Sequence, residues 1–265
     1  MKLCRFEHTS SPGKHRSGIF YGGKVYETDG AKAVGVHESS DVRLLTPIGQ
    51  PPSVRFFWCY DAPPVAGAGL AAQLDFVYLN PATLLPPVGV VKKPSYAGAM
   101  SFDACVAMVV AAPGAGIPPE SAEEHLLGFT LATSFADEHL EVAPMGVPRY
   151  SARRRDMGTA IGPAITTPDE LDEAVIEVDS GRRFRLELSA RVNGSEVCTW
   201  DLADLPVTLA EVVSLASESC ALQSGDLLCV ALPMRAGGRP LPDLDRGDEV
   251  QLTCDRLGSL TTVVA

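Results

Sequence analysis

The segment MSFDACVAMVV, residues 100–110, carries two side chains that can do chemistry within an otherwise apolar run. Side chains alternate along a strand, so Asp103 and Cys105 fall on the same face. A carboxylate and a thiol in this arrangement can form part of a metal site, and a thiolate near cations is a nucleophile. The alternatives are an inert core thiol at Cys105 and a structural hydrogen-bond anchor at Asp103.

A second chemically capable group follows the strand-like segment GFTLATSF. Here His139 is flanked by Glu138 and Glu141, and carboxylate neighbours support a histidine that transfers protons. The sequence therefore predicts an acid–base role for Glu138 and His139. A solvated histidine at the end of a loop or helix is the alternative interpretation.

The longest basic run in this acidic chain is Arg153, Arg154 and Arg155, with Asp156 directly after it. A guanidinium binds a carboxylate or an enolate through paired N–H groups. The run therefore predicts a clamp for an anionic ligand, with Arg153 as a catalytic candidate and Arg155 as a binding candidate. Solvated or mutually ion-paired side chains are the alternative.

Composition limits the function classes. With 265 residues, of which 46% are hydrophobic, the chain can bury a full core. A formal charge of −11 argues against partners with phosphate backbones and against anionic membrane surfaces. The sequence contains no run of 18 apolar residues, so no membrane span is expected. The segment MKLCRFEH lacks the apolar stretch of a signal peptide. Seven scattered cysteines without a CxxC motif favour reduced thiols, so a cytoplasmic location is expected.

The elements that must position these residues are short and mostly β-strands, because 24 glycines and 21 prolines divide the chain. Hairpins are predicted around Gly22-Gly23 and Asn193-Gly194. Two capping boxes and a proline-led acidic segment predict helices, namely from Thr167 to Glu170, from Thr208 to Glu211, and over 118–128 with Gly128 as the stop. The loop-like segment 61–73 predicts a boundary between a small N-terminal domain, 1–73, and a larger domain, 74–265.

The order of several segments along the chain resembles the fumarylacetoacetate hydrolase superfamily. These segments are MKLCRF, GGKVYE, LLTPI, FDACVAMVV, HLLGFTLATSFADEHLE, GTAIGPAITTPDEL, VNGSEVCTWDLADLPVTLAEVVSLAS, LQSGDLLCVALP and GDEVQLTCDRLGSLTTVV. The resemblance implies an α+β, β-rich fold, a mixed β-sandwich roll with a small N-terminal domain, and a homodimer. Typical members bind Mg²⁺ or Mn²⁺ and hydrolyse acylpyruvates, decarboxylate oxaloacetate-like acids or tautomerise enols.

At the metal positions this chain departs from the family pattern. The family holds its metal with Glu-x-Glu on a strand and an aspartate after the next strand; here Asp103, Cys105 and Ser134 stand at those positions. A hard divalent cation prefers several carboxylate or carbonyl oxygens, so this set is a poor one. The sequence thus predicts no metal ligand and no cofactor, with Mg²⁺ or Mn²⁺ held by rebuilt ligands as the alternative.

The acid–base positions depart as well. The family's water-activating histidine and glutamate are matched here by Pro63 and Ala66, neither of which can move a proton. Asn80 and Leu232 replace a family lysine and threonine, whereas Arg153 matches another lysine. By this resemblance the substrate-binding candidates are Tyr60, Asn80, Ser134, Glu141, Arg155, Asp156 and Leu232.

Three functions remain open at this point. The first is a repurposed, metal-independent cyclase, isomerase or dehydratase for a small enolisable, polyketide-like or acylpyruvate-like intermediate of bacterial secondary metabolism. The second is a metal-dependent hydrolase, decarboxylase or isomerase in which Asp103 and the 138–141 group rebuild the site. The third is a non-catalytic, ligand-binding member. In each case the expected partner is a small molecule.

Overall fold

The computed structural model describes residues 1–59, 74–95, 97–137, 152–178, 181–232 and 241–265. The strands are β1 (Lys2–His8), β2 (Arg16–Tyr21), β3 (Lys24–Asp29), β4 (Lys32–Glu38), β5 (Val42–Leu44), β6 (Val54–Cys59), β7 (Leu74–Leu79), β8 (Leu84–Leu85), β9 (Val88–Val91), β10 (Met100–Val110), β11 (Leu126–Asp137), β12 (Thr159–Thr166), β13 (Val175–Val178), β14 (Gly181–Phe184), β15 (Glu187–Val192), β16 (Ser195–Asp201), β17 (Leu227–Ala231), β18 (Glu249–Cys254) and β19 (Gly258–Val264). One α-helix, α1 (Leu209–Glu218), and 3-10 helices at Ser39–Asp41, Pro81–Thr83, Pro119–His125, Ala152–Arg155, Pro168–Ala174 and Leu202–Asp204 complete these elements. The predicted β-rich class is confirmed.

Two large sheets dominate the fold. The larger sheet has 12 strands, ten of them in the order β4-β3-β2-β1-β12-β11-β10-β17-β6-β7, with β5 on β1 and β8 on β12. The second sheet has the order β16-β15-β18-β19-β9, and β13 pairs with β14 separately. Parallel pairs, such as β17 with β6, occur beside antiparallel ones, so the sheets are mixed.

The antiparallel pair β10–β11 forms the centre of the larger sheet. Every residue of β10 is buried, because both faces of the sheet are covered. One face, with Phe102 and Val106, joins the main hydrophobic core together with residues of β15, β18 and α1. The other face, with Cys105, packs in a second cluster that contains Phe56 and Cys229. A strand buried on both faces tolerates a charged side chain only where that side chain has a partner.

Local turn and cap signals explain several of the elements. Gly22 and Gly23 adopt positive φ in the β2–β3 hairpin, as do Asn193 and Gly194 in the β15–β16 hairpin, so both predicted hairpins are confirmed. The capping box at the start of α1 is also present: the Glu211 N–H donates to Thr208 Oγ1, and the Thr208 N–H donates to Glu211 Oε2.

Two predicted helices differ from the structure. The side chain of Thr167 does not cap its helix, a 3-10 helix, because its hydroxyl oxygen accepts instead from the N-terminal ammonium group of Met1, while the hydroxyl donates to the Met1 carbonyl oxygen at 3.1 Å. The acidic segment forms the 3-10 helix Pro119–His125, and Gly128 lies inside β11 rather than at a helix stop. Among the described helices, none has the length and apolarity required to cross a membrane.

The N-terminal strands are continuous with the rest of the larger sheet, because β1 pairs with β12 through Lys2–Thr166 and Leu3–Ile165. The predicted boundary segment 61–73 lies outside the described residues. The division into domains 1–73 and 74–265 therefore stays a prediction.

Candidate functional site

Strand register places three polar side chains in one row across the larger sheet. Asp103 on β10 lies opposite Ser134 on β11, which in turn lies opposite Thr159 on β12. All three residues are buried. The strands β10, β11 and β12 thus bring a carboxylate and two hydroxyl groups together in the interior.

The side chain of Arg155 lies against this row. Arg155 is the last residue of the 3-10 helix Ala152–Arg155, and β12 begins after three further residues. Its Nη1 atom lies 2.5 Å from Asp103 Oδ2 and donates to Ser134 Oγ at 3.4 Å. Thr159 Oγ1 donates to the same Ser134 oxygen at 3.5 Å. The pair is deeply buried, with side-chain exposures of 3% for Arg155 and 9% for Asp103, so each charge depends on the other.

Two aromatic rings from β6 hold the guanidinium of Arg155. The carbon Cζ lies 4.1 Å from the ring centre of Phe56 and 4.9 Å from that of Trp58. The rings themselves meet edge to face, with centres 4.9 Å apart. A cation close to aromatic faces is stabilised by their quadrupoles, and more so where water is excluded. The aromatic pair therefore restrains the Arg155 guanidinium beside the Asp103 carboxylate.

Cys105 lies beneath Asp103 on the same strand, and its Sγ donates to the Asp103 carbonyl oxygen at 3.7 Å. It is fully buried. Burial raises the pKa of this thiol well above its ordinary value, and the nearby Cys229 and Asp103 raise it further, whereas Arg155 lowers it. A thiol held protonated is neither a good nucleophile nor a good metal ligand. This placement favours the inert core thiol over the nucleophile.

The remaining described candidates lie around this centre. Asn80 Nδ2 donates to Asp156 Oδ1 at 2.9 Å, and Asn80 Oδ1 accepts from the N–H of Ala82 at 3.0 Å. The side chain of Arg153 is exposed. Leu232 follows β17, donates its N–H to the Ala104 carbonyl and packs its side chain in the main core. Tyr60, Glu138, His139 and Glu141, together with Pro63 and Ala66, lie outside the described residues.

The described residues do not fit a Mg²⁺ or Mn²⁺ ion at the positions where the family resemblance places one. The Asp103 carboxylate is bonded to the Arg155 guanidinium, Cys105 offers a buried thiol, and Ser134 offers a single hydroxyl oxygen. Within the described ranges, no three His, Cys, Asp or Glu side chains are grouped so that they could hold a metal. Hard divalent cations need more oxygen ligands than this set provides.

Sequence reasoning missed the two aromatic residues and Thr159. Phe56 and Trp58 stand two positions apart in the run SVRFFWCY, and this spacing places both rings on one face of a strand. That signal was available in the sequence. What the sequence did not reveal was the strand order β10-β17-β6, which brings this face of β6 to the guanidinium of Arg155.

Comparisons with known proteins agree with this architecture. A structure described as fumarylacetoacetate hydrolase from Exiguobacterium antarcticum superposes with a TM-score of 0.80 at 20% identity, covering 100% of this chain and 99% of that chain. A structure described as 5-carboxymethyl-2-hydroxymuconate delta-isomerase from Mycobacterium smegmatis gives a TM-score of 0.79 at 20% identity, covering 100% and 98%. At these identities the similarity establishes the fold.

Sequence comparison reaches further. Oxaloacetate tautomerase YisK of Bacillus subtilis strain 168 is 22% identical over 167 residues, which are 62% of this chain and 52% of that protein. The chain thus spans about half the length of the curated relatives it matches. The sequence model described as fumarylacetoacetate (FAA) hydrolase C-terminal matches residues 64–265, well over half of the chain. The chain therefore belongs to the fumarylacetoacetate hydrolase family.

Proposed function

We propose that this chain is a metal-independent enzyme of the fumarylacetoacetate hydrolase family, an isomerase, cyclase or dehydratase for a small enolisable acid. The single observation that carries the proposal is the buried ion pair of Arg155 and Asp103. It stands where the family resemblance places metal ligands, so the protein's own guanidinium supplies positive charge there.

Arg155 is suited to hold a carboxylate or an enolate oxygen. A guanidinium has five N–H donors in a fixed plane, and Asp103 and Ser134 engage only Nη1. Its Nε has no hydrogen-bond partner in the described part of the chain. The rings of Phe56 and Trp58 restrain the guanidinium, so little side-chain freedom is lost when a ligand binds.

Asp103 is suited to move a proton between atoms of the ligand. In an isomerisation its carboxylate accepts a proton from the carbon beside a carbonyl group, and the electron pair of the C–H bond forms an enolate. Arg155 stabilises the negative charge that develops on the enolate oxygen. The proton then returns from Asp103 to a different atom of the same molecule, which completes a tautomerisation or isomerisation.

The other two reactions start from the same enolate. In a dehydration the enolate expels a β-hydroxyl group, which leaves as water with the proton carried by Asp103. In a cyclisation the enolate carbon attacks a second carbonyl carbon of the same molecule, and that oxygen takes the proton. None of these reactions consumes an oxidant, a reductant or a co-substrate.

The relatives support this reaction class. One is named as an oxaloacetate tautomerase and others as isomerases of unsaturated hydroxy acids. Their names also support an enzyme over a purely structural protein. A polyketide-like or acylpyruvate-like substrate, the homodimer and the cytoplasmic location stay predictions of the sequence.

A non-catalytic ligand-binding protein is the second candidate, and one specific observation favours it. Asp103 is engaged by Arg155 and largely shielded from water, so the two charges compensate each other without a ligand. Such a protein would bind enolisable acids through Arg155 without turning them over.

The test measures keto–enol conversion of oxaloacetate and acetylpyruvate by purified protein, with metal content determined on the same sample. We expect activity that survives EDTA and falls about 100-fold or more in Asp103→Asn and Arg155→Gln, as when an acid–base group or a charge-stabilising donor is lost. Arg191→Gln is the matched control, because Arg191 is half-exposed on β15.

Three other results would overturn the proposal. Loss of activity with EDTA and recovery with Mn²⁺ would support the metal-dependent alternative. Full activity in both site variants would show that Asp103 and Arg155 are not the residues that act on the substrate. Binding of both acids by the wild-type protein without turnover would support the ligand-binding candidate.

A further inference from the structure

The tight turn between β15 and β16 consists of Asn193 and Gly194, and both residues are exposed. Asn193 has a φ of 52°, and it is the only residue other than glycine with a positive φ in the described part of the chain. An asparagine directly before a glycine is also chemically labile, because glycine has no side chain to hinder attack by its backbone nitrogen. The turn therefore combines a structural role with a reactive bond.

The reaction available to this turn is deamidation, and it consumes only water. The backbone nitrogen of Gly194 attacks Cγ of Asn193 and loses its proton to solvent. The C–N bond of the side-chain amide breaks, ammonia leaves, and a five-membered succinimide ring remains. Water then opens the ring at either carbonyl carbon, which leaves aspartate or isoaspartate at position 193. The chain gains one negative charge, and nothing is oxidised or reduced.

The other asparagine of the chain cannot react in this way. The sequence contains two asparagines, Asn80 and Asn193. Asn80 precedes Pro81, whose backbone nitrogen carries no hydrogen and cannot form the imide. Deamidation of asparagine through a succinimide is therefore confined to Asn193.

Three hydrogen bonds tie Asn193 to the start of β18. Its Nδ2 donates to Asp248 Oδ1 at 2.8 Å, and its Oδ1 accepts from the N–H of Glu249 at 3.0 Å. The backbone N–H of Asn193 donates to the carbonyl oxygen of Glu249 at 2.9 Å. Asp248 is itself fixed, because its Oδ2 accepts from the N–H of Asp245 at 2.7 Å. The departing nitrogen is thus held by Asp248, so the folded protein opposes the reaction.

The product of the reaction weakens the same tie. A carboxylate at position 193 has no N–H to donate, and it would face the Asp248 carboxylate at hydrogen-bond distance. The hydrogen bond from Asn193 is the largest cause that holds the pKa of Asp248 below its ordinary value, so this carboxylate loses its main support. An isoaspartate also lengthens the backbone of a turn whose geometry depends on two residues.

We propose that Asn193 is a site of spontaneous deamidation whose rate is controlled by Asp248, and that its conversion loosens the contact between the β15–β16 hairpin and β18. The proposal is independent of the reaction assigned to Asp103 and Arg155, because it uses no residue of that site.

The first test incubates folded protein at pH 8 and 37 °C and follows position 193 by peptide mass spectrometry. We expect Asp248→Ala to deamidate about tenfold faster than the wild-type protein, the size of effect given by the loss of one or two hydrogen bonds. In urea that unfolds both proteins their rates should be equal, because Asp248 holds the amide only in the folded state. Gly194→Ala should slow the reaction in urea, since its methyl group hinders the attack.

A matched control separates this restraint from a general loss of stability. Asp201 lies at the far end of the same hairpin, and its Oδ1 accepts from the N–H of Ala203 at 2.9 Å. Asp201→Ala loses a similar hydrogen bond but leaves Asn193 held, so its deamidation rate should stay within twofold of the wild-type rate. Equal rates in the folded wild-type and Asp248→Ala proteins, or the same acceleration in Asp201→Ala, would overturn the proposal.

The second test introduces the product by substitution. Asn193→Asp should lower the melting temperature at pH 7 by about 3 °C, as expected for the loss of one hydrogen bond in a chain of this size. Asn193→Asp/Asp248→Asn exchanges donor and acceptor: the carboxylate at 193 accepts from the amide nitrogen at 248, and the amide oxygen keeps the bond from Asp245. We expect this variant to regain the wild-type melting temperature to within about 1 °C. An unchanged melting temperature in Asn193→Asp, or no recovery in the double variant, would contradict the proposed effect on the hairpin.

Discussion

Arg155 Nη1 and Asp103 Oδ2 are 2.5 Å apart, and both side chains are more than nine-tenths buried. The two residues come from distant parts of the sequence and meet because the 3-10 helix before β12 packs against β11, the strand paired with β10. A buried ion pair of this kind is weak evidence for stability, because desolvation offsets much of the attraction. It nevertheless makes each partner costly to remove alone.

Single removals at this pair should destabilise the protein more than the double removal does. Asp103→Asn and Arg155→Gln each leave one buried charge without its partner, which costs about 3 kcal/mol of unfolding free energy. The combined variant Asp103→Asn/Arg155→Gln leaves no buried charge and should cost less unfolding free energy than either single substitution. Urea unfolding of all four proteins measures the coupling free energy directly.

The outcome separates a structural pair from an accidental contact. Additive losses within about 0.5 kcal/mol would mean that the two charges do not interact in solution. A substitution outside the pair, Phe56→Leu, tests the aromatic support. It removes the ring nearer to the guanidinium, and the loss of this cation–π contact should lower the free energy of unfolding in urea by about 1 kcal/mol or more.

Thiol reactivity should be confined to one cysteine. Cys220 is exposed, whereas the other six cysteines are buried or half-buried. Burial raises the pKa of Cys4, Cys59 and Cys229 to about 12 and that of Cys105 well above its ordinary value. At pH 8 these four groups hold almost no thiolate, so one equivalent of Ellman's reagent should react rapidly and the remainder only after denaturation.

The variant Cys220→Ser should abolish the rapid phase. A thiol that still reacts rapidly in this variant, located at Cys105 by peptide mapping, would show that Cys105 is not inert. The interpretation of Cys105 as a nucleophile would then be supported. Cys105→Ala should leave enzymatic activity intact, apart from a modest loss of stability caused by the smaller side chain.

Local signals in the sequence were sufficient for the hairpins and for α1. The turns at Gly22-Gly23 and Asn193-Gly194 depend on backbone angles that those residues adopt by themselves. The cap at Thr208 depends on Glu211, three residues away. The cap predicted at Thr167 was wrong because the N-terminal ammonium group of Met1, 166 residues away, donates to the hydroxyl oxygen that capping would need.

The candidate site depended on contacts that no local pattern contains. The sequence named Asp103 and Arg155 separately, as a face of a strand and as part of a basic run. Their pairing follows from strand order, and so do the positions of Phe56 and Trp58 against the guanidinium. The sequence shows which side chains can carry a charge, but which group neutralises a buried charge depends on how the strands pack together.

Stability should fall as the pH drops below about 4.5, and Glu7 is one cause. Its carboxylate accepts from the Gly13 N–H at 2.8 Å and lies 2.7 Å from Arg43 Nη2. The Gly13 hydrogen bond, assisted by Arg43, holds the pKa of Glu7 below its ordinary 4.5, against the opposing effect of burial. A pKa lowered by folding gives stability that is present above the unfolded value and is lost as the pH falls through the folded value.

Thermal unfolding between pH 7 and pH 3 tests this assignment. Glu7→Gln should lower the melting temperature at pH 7 and flatten the acid limb, so that the variant and the wild-type protein converge near pH 3. Glu187→Gln is the control, because Glu187 is exposed and forms no ion pair with the described residues, and its acid limb should follow that of the wild-type protein. A Glu7→Gln curve parallel to the wild-type curve would assign the acid sensitivity to other carboxylates, of which Glu27 and Asp248 also have pKa values lowered by hydrogen bonds.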